Sequence, residues 1–292
     1  MQSPPVIDRI ASLRERVREQ RDKRKRIGFV PTMGALHSGH VRLLQRARVD
    51  NDFVVTSIFV NPLQFERQSD LDKYPRTFPD DLRICAANGV DLVFAPSTGE
   101  MYPSESLTFV EVPSLAEHLC GKFRPGHFRG VATVVLKLFQ IVQPDHAYFG
   151  RKDAQQLAII RRMVQDLNVP VTIVPVETVR EADGLALSSR NQLLTAQQRQ
   201  IAPVLHQALS KAFDLLSAGE RQVETIRGEA QLLFQGHPAL RVEYFEITDP
   251  DRLIPVEEVT GPVLIAGAIW LGNTRLIDNL SFPGTKEPGT SE

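Results

Sequence analysis

The sequence predicts an α/β fold, built on a parallel sheet with helices on both faces and followed by a smaller C-terminal α+β unit. Two observations support this prediction. Over the first 180 or so residues, short apolar β-like runs alternate with helix-like stretches, and this alternation is typical of parallel sheets. Beyond that point, two helical stretches precede three strand-like runs. A length of 292 residues suits one large domain and one smaller domain.

Each element of the first part has its own signal. Ile10, Leu13 and Val17 recur at the spacing of an amphipathic helix, which is expected over residues 8–26. Apolar runs predict strands at Ile27–Val30, Phe53–Val60, Val90–Ala95, His146–Phe149 and Val171–Val176. The intervening stretches predict helices that begin near Ser38 or span Asp80–Asn88, Val131–Val142 and Ala154–Asn168.

The pattern changes after the polar segment Arg180–Gly184, where a hinge is expected. Helices are predicted over 195–217 and 222–235, followed by strands at Arg241–Thr248, Val263–Trp270 and Arg275–Leu280. The predicted domains are therefore residues 1–182 and 183–283. Residues 284–292 have the composition of a disordered terminus.

Composition narrows the class of protein. A formal net charge of −1 argues against a protein whose main partner is nucleic acid. No apolar run is long enough to span a bilayer, and the basic N-terminus lacks the apolar core of a secretory signal. Cys85 and Cys120 show no metal-ligand spacing, which fits a reducing compartment. A cytoplasmic protein with neither a membrane nor a nucleic-acid partner is expected, with no metal site of its own.

The most informative segment is MGALHSGH, Met33 to His40, which joins a strand end to a helix start. Gly34 and Gly39 let backbone N–H groups approach an anion, and the helix dipole adds partial positive charge. His37 and His40 are one helical turn apart, so both can donate hydrogen bonds to one phosphate. The segment therefore predicts a phosphate-binding loop, although the two histidines could instead only cap the helix.

Two further loops carry groups suited to anions. Gly150, Arg151, Lys152 and Asp153 follow a predicted strand, and Lys152 can neutralise phosphate. Asp153 could cap the next helix, bind a ribose or help hold a metal ion. The run LSSRN, Leu187 to Asn191, offers hydroxyls and a guanidinium for a triphosphate, although an ordinary polar turn has the same composition.

Other polar residues have structural interpretations. Asp80 and Asp81 begin a predicted helix, where carboxylates interact favourably with the dipole. The five histidines outside the loop show no metal-ligand spacing and are interpreted as structural or surface groups. His127 is the least settled of them, because it lies in a glycine-rich loop.

Five segments together resemble the pantothenate synthetase family: MGALHSGH, FVNPLQF, GKFRPGHFRGVATVV, YFGRKDAQQL and DGLALSSRN. They run in order over about residues 28–191. The histidine-glycine-histidine signature is shared by the wider nucleotidylyltransferase superfamily, and the other four segments narrow the resemblance to this family. The resemblance implies a Rossmann-like first domain, a C-terminal lid domain and a homodimer. Arg151 is the one departure, since an acidic or amide residue is common there, and a backbone contact would survive the change.

The resemblance implies condensation of pantoate with β-alanine through a pantoyl adenylate, with release of pyrophosphate and AMP and with Mg²⁺ accompanying ATP. Catalytic roles fall on His40 and His37, which would stabilise the phosphorus transition state, and on Lys152 and Arg190. Gln64 and Gln156 would hold pantoate, Asn61 would neighbour the β-alanine site, and Arg124 would contact phosphates. The ATP site would comprise Met33, Gly34, Ala35, Leu36, His37, Ser38, Gly39, His40, Gly150, Arg151, Lys152, Asp153, Val179, Leu187, Ser188, Ser189 and Arg190.

Two other functions fit part of the pattern. One is an adenylyltransferase that passes AMP to a phosphate, but the uncharged Gln64 and Gln156 suit a hydroxy acid better. The other is a nucleotide sensor without catalysis, which is disfavoured because His37, His40 and the two cations are all present. A lid would keep water from the adenylate while the amine enters.

Overall fold

The computed structural model describes residues 3–284, which divide into two units. Of these residues, 3–116, 121–151 and 156–179 form the first unit, and 117–120, 152–155 and 180–284 form the second. The predicted domain limits at 182/183 and 283/284 stay a prediction. The predicted disordered tail lies outside the described residues, apart from Gly284.

The first unit contains a six-stranded sheet in which every neighbouring pair is parallel. The strands are β1 (Val6–Ile7), β2 (Ile27–Thr32), β3 (Phe53–Ile58), β4 (Leu92–Phe94), β5 (His146–Gly150) and β6 (Thr172–Val176). Their order across the sheet is β1-β4-β3-β2-β5-β6. The fold class predicted from the alternating pattern is confirmed, and the sheet is buried by helices because its central strands are apolar on both faces.

Strand β2 extends two residues further than the sequence predicts, through Pro31 to Thr32. A proline has no N–H to donate, which usually excludes it from a central strand. Here the pairing of β2 with β5 ends at Phe29, whereas the pairing with β3 continues to Thr32. Pro31 therefore lies where β2 is paired on one side only, with β3, and its missing N–H costs no bond to β5.

Twelve α-helices are described in residues 3–284. They are α1 (Ile10–Asp22), α2 (Ser38–Asp50), α3 (Gln68–Asp72), α4 (Phe78–Ala87), α5 (Thr98–Met101), α6 (Pro113–Ala116), α7 (Leu119–Lys122), α8 (His127–Val142), α9 (Ala154–Asp166), α10 (Ala196–Ile201), α11 (Val204–Ser217) and α12 (Val223–Gln231). The single helix predicted over 195–217 is wrong, because Pro203 separates α10 from α11. Its ring cannot continue the hydrogen bonding of the preceding turn.

The sequence pattern missed several short elements. β1 has only two residues and pairs parallel to β4 at the edge of the sheet. Helices α5, α6 and α7 have four residues each. A single turn or a two-residue strand is too short to show periodicity, so only tertiary contacts reveal these elements.

The second unit contains an antiparallel sheet of β7 (Leu240–Thr248), β8 (Val263–Leu271) and β9 (Thr274–Phe282) in that order. Its core is formed by one face of this sheet and the apolar sides of α11 and α12, including Leu209, Ile226 and Ile265, which are fully buried. The predicted α+β character of this part is confirmed.

We predict that Gly130→Ala destabilises the protein by about 1–3 kcal/mol, the range for overpacking. Gly130 lies in the first turns of α8, and a Cβ there would collide with the Leu63 carbonyl and lie 2.7 Å from the Gln64 nitrogen. Thermal unfolding measures the change. Gly228→Ala in α12 is the matched control, since nothing lies within 4 Å of its Cβ position.

The control should stabilise the protein by about 0.5–1 kcal/mol, because alanine favours a helix over glycine. Equal effects of the two substitutions would contradict the close approach of α8 to the Leu63 carbonyl.

Candidate active site

The order of the sheet reverses between β2 and β5. The chain runs from β2 outward to β3 on one side, and from β5 outward to β6 on the other. In open α/β sheets, ligands bind at the carboxyl ends of the strands at such a switch point. The loop from Met33 to His37 follows β2, and Gly150 ends β5. Two of the three predicted anion loops thus begin at this point.

His37 and His40 form a reciprocal cap at the start of α2. His37 is the N-cap residue, and its Nδ1 accepts a hydrogen bond from the Gly39 N–H at 3.1 Å. His40 Nδ1 accepts from the His37 N–H at 3.3 Å. The ring centroids are 4.2 Å apart. Both histidines therefore cap the helix, as one interpretation of the sequence expected, without losing the ability to bind an anion.

This cap fixes the tautomers of both rings. A backbone N–H can only donate, so Nδ1 of each ring is an acceptor and carries no proton in the neutral form. The proton must then be on Nε2. His37 and His40 consequently present two Nε2–H donors beside a helix N-terminus, where partial positive charge favours an anion.

Asp81 holds the backbone of the loop between β2 and α2 by hydrogen bonds, a role that the sequence did not predict. Its carboxylate accepts hydrogen bonds from the Leu36 N–H at 2.8 Å and the Ala35 N–H at 3.1 Å. The Thr77 hydroxyl donates to it at 3.2 Å. Ala35 has a φ of 51°, in the left-handed region, so these bonds hold a conformation that an alanine rarely adopts. Only spatial proximity, and no pattern along α4, could have shown this.

Asp81 also affects the thiol that lies one turn further along α4. Cys85 is fully buried, and burial together with the nearby Asp81 charge raises its pKa to about 12. This thiol therefore stays protonated at neutral pH.

Asn61 caps the 3₁₀ turn Pro62–Gln64 that follows β3, and Gln64 is its last residue. Asn61 is 1% exposed and Gln64 is 9% exposed. The Gln64 amide donates to the Met33 sulfur at 2.9 Å, which joins the predicted pantoate residue to the first residue of the predicted ATP loop. Tyr102, which the sequence analysis did not single out, donates its hydroxyl to Asn61 at 2.8 Å.

Arg124 is engaged with the same turn. Its guanidinium donates to His127 Nε2 at 3.1 Å, and His127 Nδ1 donates to the Gln64 carbonyl at 2.9 Å. His127 thus links Arg124 to the turn that carries Gln64. The predicted phosphate contact of Arg124 stays a prediction.

The remaining predicted residues of this unit lie at the ends of β5 and β6 or just beyond them. Arg151 forms an ion pair with Glu177 at 2.8 Å. Gln156 is half-buried on α9, and Val179 is half-buried three residues after the end of β6. Gly150 has nothing within 4 Å of its Cβ position, so backbone approach by a ligand is unobstructed there.

In the second unit, Lys152, Ser188 and Arg190 line one recess together with His206 and Asp278. Ser188 caps the 3₁₀ turn Ser189–Leu193 by accepting from the Arg190 N–H at 3.3 Å. The two predicted phosphate cations therefore line a common recess. Lys152 Nζ is 3.9 Å from Asp153, and Leu187 and Ser189 are half-buried nearby in sequence.

A buried ion pair lies at this recess. The Arg180 guanidinium donates to both Asp278 oxygens, at 2.5 and 3.0 Å. His206 Nδ1 is 3.7 Å from the same carboxylate. Burial alone would raise the pKa of Asp278, but His206 and Arg180 outweigh it and lower that pKa. This pair fixes the beginning of the segment that leads to Ser188.

Within residues 3–284, no three or more His, Cys, Asp or Glu side chains are grouped closely enough to hold a metal ion. No helix in these residues combines the length and apolar character needed to cross a bilayer.

A parallel sheet with an anion-binding helix N-terminus at its switch point defines a nucleotide-binding α/β protein. Comparison with known families gives the specific assignment. Residues 5–281 match the family model described as pantoate-beta-alanine ligase, so the chain belongs to the pantoate-beta-alanine ligase family. It is a ligase that forms the C–N bond of pantothenate, and the resemblance stated from the five segments is confirmed.

Individual relatives agree with this assignment. A pantothenate synthetase of Moorella thermoacetica is 52% identical over 94% of this chain and 97% of its own length. The crystal structure of the Thermus thermophilus pantothenate synthetase is 45% identical, with a TM-score of 0.89 over 94% of this chain and 98% of that one. The Francisella tularensis enzyme, described as complexed with beta-gamma ATP and beta-alanine, is 35% identical. Its TM-score is 0.78, over 95% of this chain and 97% of that one.

We predict that Asp81→Asn lowers kcat/KM for ATP by about 10- to 100-fold. The substituted amide directs an NH₂ group at one of the two loop N–H donors, leaving that donor unsatisfied at a cost of about 1–3 kcal/mol. Initial rates at varied ATP measure the effect. Asp166→Asn is the matched control, because this carboxylate is surface-exposed and pairs with Arg162 on the same helix.

The control should change kcat/KM less than about twofold, as expected for a surface substitution. Unchanged ATP kinetics in Asp81→Asn would show that the loop keeps its shape without this carboxylate.

We predict that Asp278→Asn costs about 3 kcal/mol at neutral pH, the lower end of the range for breaking a buried pair, because it removes the buried carboxylate from Arg180, whose side chain is 20% exposed. The folded pKa of Asp278 lies below the unfolded value of about 3.9. Stabilisation by its charge is therefore complete above that unfolded pKa and is lost as the pH falls below it. The difference between wild type and variant should narrow only below about pH 4.

Urea unfolding at neutral and acidic pH measures this difference. Asp251→Asn, an exposed carboxylate of the same unit, serves as the control and should show neither effect. A wild-type–variant difference that does not narrow below about pH 4 would contradict the role of the Asp278 charge.

Proposed function

We propose that the chain makes pantothenate from pantoate, ATP and β-alanine through a pantoyl adenylate. The observation that carries this proposal is the pair of Nε2–H donors that His37 and His40 present at the N-terminus of α2. The Francisella tularensis relative described as complexed with beta-gamma ATP and beta-alanine supports ATP and β-alanine as two of the substrates.

The chemistry explains why ATP is needed. An amine cannot displace oxide from a carboxylate at neutral pH, so the carboxylate must first gain a better leaving group. A pantoate carboxylate oxygen attacks the α-phosphorus of ATP, and pyrophosphate leaves. The β-alanine nitrogen then attacks the acyl carbon, loses a proton and displaces AMP. No enzyme residue needs to form a covalent bond in either step.

His40 and His37 have the leading role in the first step. Negative charge grows on the oxygens of the α-phosphate as the carboxylate attacks, and preorganised donors stabilise such charge most effectively. Because both Nε2 atoms carry protons in the neutral rings, these donors do not depend on protonating either histidine. His40, on which the family resemblance places a proton donor, is proposed to donate a hydrogen bond from its Nε2–H to a phosphate oxygen and to keep that proton. Residues 33–39 contribute backbone groups to the same nucleotide site.

Gln64 and Gln156 are proposed to hold pantoate by its hydroxyl and carboxylate groups. Asn61 is proposed to neighbour the place where β-alanine attacks. Because its amide is bonded on every side within the protein, Asn61 contributes through the residues that it holds. Arg124 is proposed to approach the phosphates from the same turn.

Lys152 and Arg190 are proposed to neutralise the β- and γ-phosphates, with Ser188, Ser189 and Leu187 contributing further contacts. Lys152, Ser188 and Arg190 line one recess, which supports a shared anion. Asp153, Gly150 and the backbone of Arg151 are proposed to contact the ribose side, and Val179 the adenine edge.

Mg²⁺ is proposed to enter as the metal of the nucleotide. Such ions usually keep several waters and bind through substrate phosphates with one or two carboxylates. The absence of a three-residue ligand cluster in residues 3–284 fits this mode better than a dedicated protein site.

We further propose a cytoplasmic homodimer. The two cysteines are buried free thiols, which supports a reducing compartment. The dimer follows from the family resemblance, and sedimentation would measure it.

We predict that pantoate-dependent pyrophosphate release from ATP and Mg²⁺ shows one stoichiometric burst without β-alanine and sustained turnover with it. His40→Ala should lose both, because it removes the Nε2–H donor. A phosphate-coupled assay in rapid-mixing mode measures the burst. Loss of a preorganised donor of this kind costs about 10²–10³-fold in rate.

His40→Gln tests whether the imidazole of His40 is needed. Glutamine is a favoured N3 residue of a capping box and supplies the acceptor for the His37 N–H. Loss of activity in His40→Gln would show that the cap alone is not enough, whereas full activity would mean that a glutamine NH₂ donor can replace the imidazole Nε2–H. A wild-type protein that releases no pyrophosphate on addition of pantoate would overturn the adenylate route.

A further inference from the structure

A chain of hydrogen bonds runs through the first unit beneath the predicted pantoate residue. The Tyr102 hydroxyl donates to Asn61 Oδ1 at 2.8 Å, and Asn61 Nδ2 donates to Gln64 Oε1 at 3.2 Å. Gln64 Nε2 in turn donates to Met33 Sδ at 2.9 Å. Every donor in this chain points in the same direction, from Tyr102 towards Met33.

The orientation of the Asn61 amide is determined by two backbone groups. Its Nδ2 lies 3.1 Å from the Gly130 carbonyl, which can only accept a hydrogen bond. Its Oδ1 lies 3.4 Å from the Leu63 N–H, which can only donate. Rotating the amide by 180° would place its oxygen against the Gly130 carbonyl and its NH₂ group against the Leu63 N–H, so both hydrogen bonds would be lost. Asn61 is only 1% exposed, so water could not replace them.

The orientation of Gln64 follows from that of Asn61. Asn61 donates an N–H group to Gln64, so the Gln64 side-chain oxygen must accept this bond. The Gln64 NH₂ group therefore points away from Asn61, towards Met33. Within the described chain, the acceptor that this NH₂ group meets is the Met33 thioether, which accepts hydrogen bonds only weakly. A carboxylate or hydroxyl oxygen of a substrate would be a much stronger partner.

Tyr102 fixes the other end of the chain. Burial raises the pKa of its phenol to about 12, so it remains a donor throughout the neutral range. Lys137 Nζ lies 4.9 Å from the centre of its ring, and the Phe59 ring centroid is 6.1 Å away. These contacts hold the ring, and would hold a phenylalanine ring, in the same place.

We infer that Tyr102 and Asn61 are positioning residues that fix the Gln64 amide as a hydrogen-bond donor to an oxygen of the acid substrate. This inference rests on the proposed contact of Gln64 with pantoate. The inference adds that the site selects a carboxylate or hydroxyl oxygen of the ligand, because the Gln64 oxygen is bonded to Asn61 and only the NH₂ group faces the ligand. It also explains how a neutral residue can discriminate between donor and acceptor groups on a ligand.

Tyr102→Phe tests the inference, since it removes one hydroxyl and keeps the ring. We expect KM for pantoate to rise about tenfold, with KM for ATP and for β-alanine within about twofold of wild type, because loss of one net hydrogen bond is worth about that factor. Tyr148→Phe is the matched control. Its hydroxyl is buried and accepts from Asn51 at 2.6 Å in the same unit, so it should lower stability without changing KM for pantoate.

Asn61→Asp is a second variant that does not depend on the behaviour of Tyr102→Phe. Aspartate keeps the acceptor for Leu63 and Tyr102 but presents an acceptor to both Gln64 and the Gly130 carbonyl. Gln64 must then turn its NH₂ group inward and its oxygen outward. We expect KM for pantoate to rise by on the order of 100-fold, as for the loss of a charge-assisted bond.

Gln64→Ala separates the two proposals. If Gln64→Ala raises KM for pantoate while Tyr102→Phe and Asn61→Asp leave it unchanged, the positioning inference is overturned and the contact of Gln64 stands. If Gln64→Ala leaves KM for pantoate unchanged, the proposed contact itself is wrong. Equal rises in KM for all three substrates in Tyr102→Phe would indicate general destabilisation and would also overturn the inference.

Discussion

The site depends on the need to satisfy the first backbone N–H groups of α2. A helix N-terminus leaves four such donors without intrahelical partners. His37 and His40 each accept one hydrogen bond from them, and Asp81 accepts those of the two loop residues just before. Since an uncompensated buried donor is costly, the loop has little freedom. The same bonds orient both rings so that their Nε2–H groups are donors, which is the property on which the proposed role of the two histidines depends.

The strand order converts this local arrangement into a binding site. Because β2 and β5 are neighbours although more than a hundred residues separate them in sequence, the histidine loop and Gly150 begin at the same sheet edge. β3 contributes the turn with Asn61 and Gln64 on the other side of β2. Gly130 permits that turn to lie directly against α8. Parallel pairing, which requires long connections, thus brings together the residues that are proposed to bind substrate.

The sequence predicts features that depend on residues close together in the chain, and it misses those that depend on contacts between distant residues. Alternating apolar runs are local, so the parallel sheet and nearly all of its strands were predicted. MGALHSGH was recognisable because strand, glycines and helix are contiguous. The roles of Asp81, Tyr102 and His127 were not predictable, because each acts on a residue at least 41 positions away. Pro203 carried a local signal that helical periodicity masked, and the break in the predicted helix followed from it.

The buried thiol of Cys85 has a consequence for the chemical durability of the protein. Only thiolates react quickly with oxidants and alkylating agents. With its pKa near 12 and no exposed surface, Cys85 has almost no thiolate at neutral pH. Burial, with a smaller contribution from the Asp81 carboxylate, therefore protects Cys85. Oxidative damage would reach this region first through the thioether of Met33, which is half-buried beside Gln64.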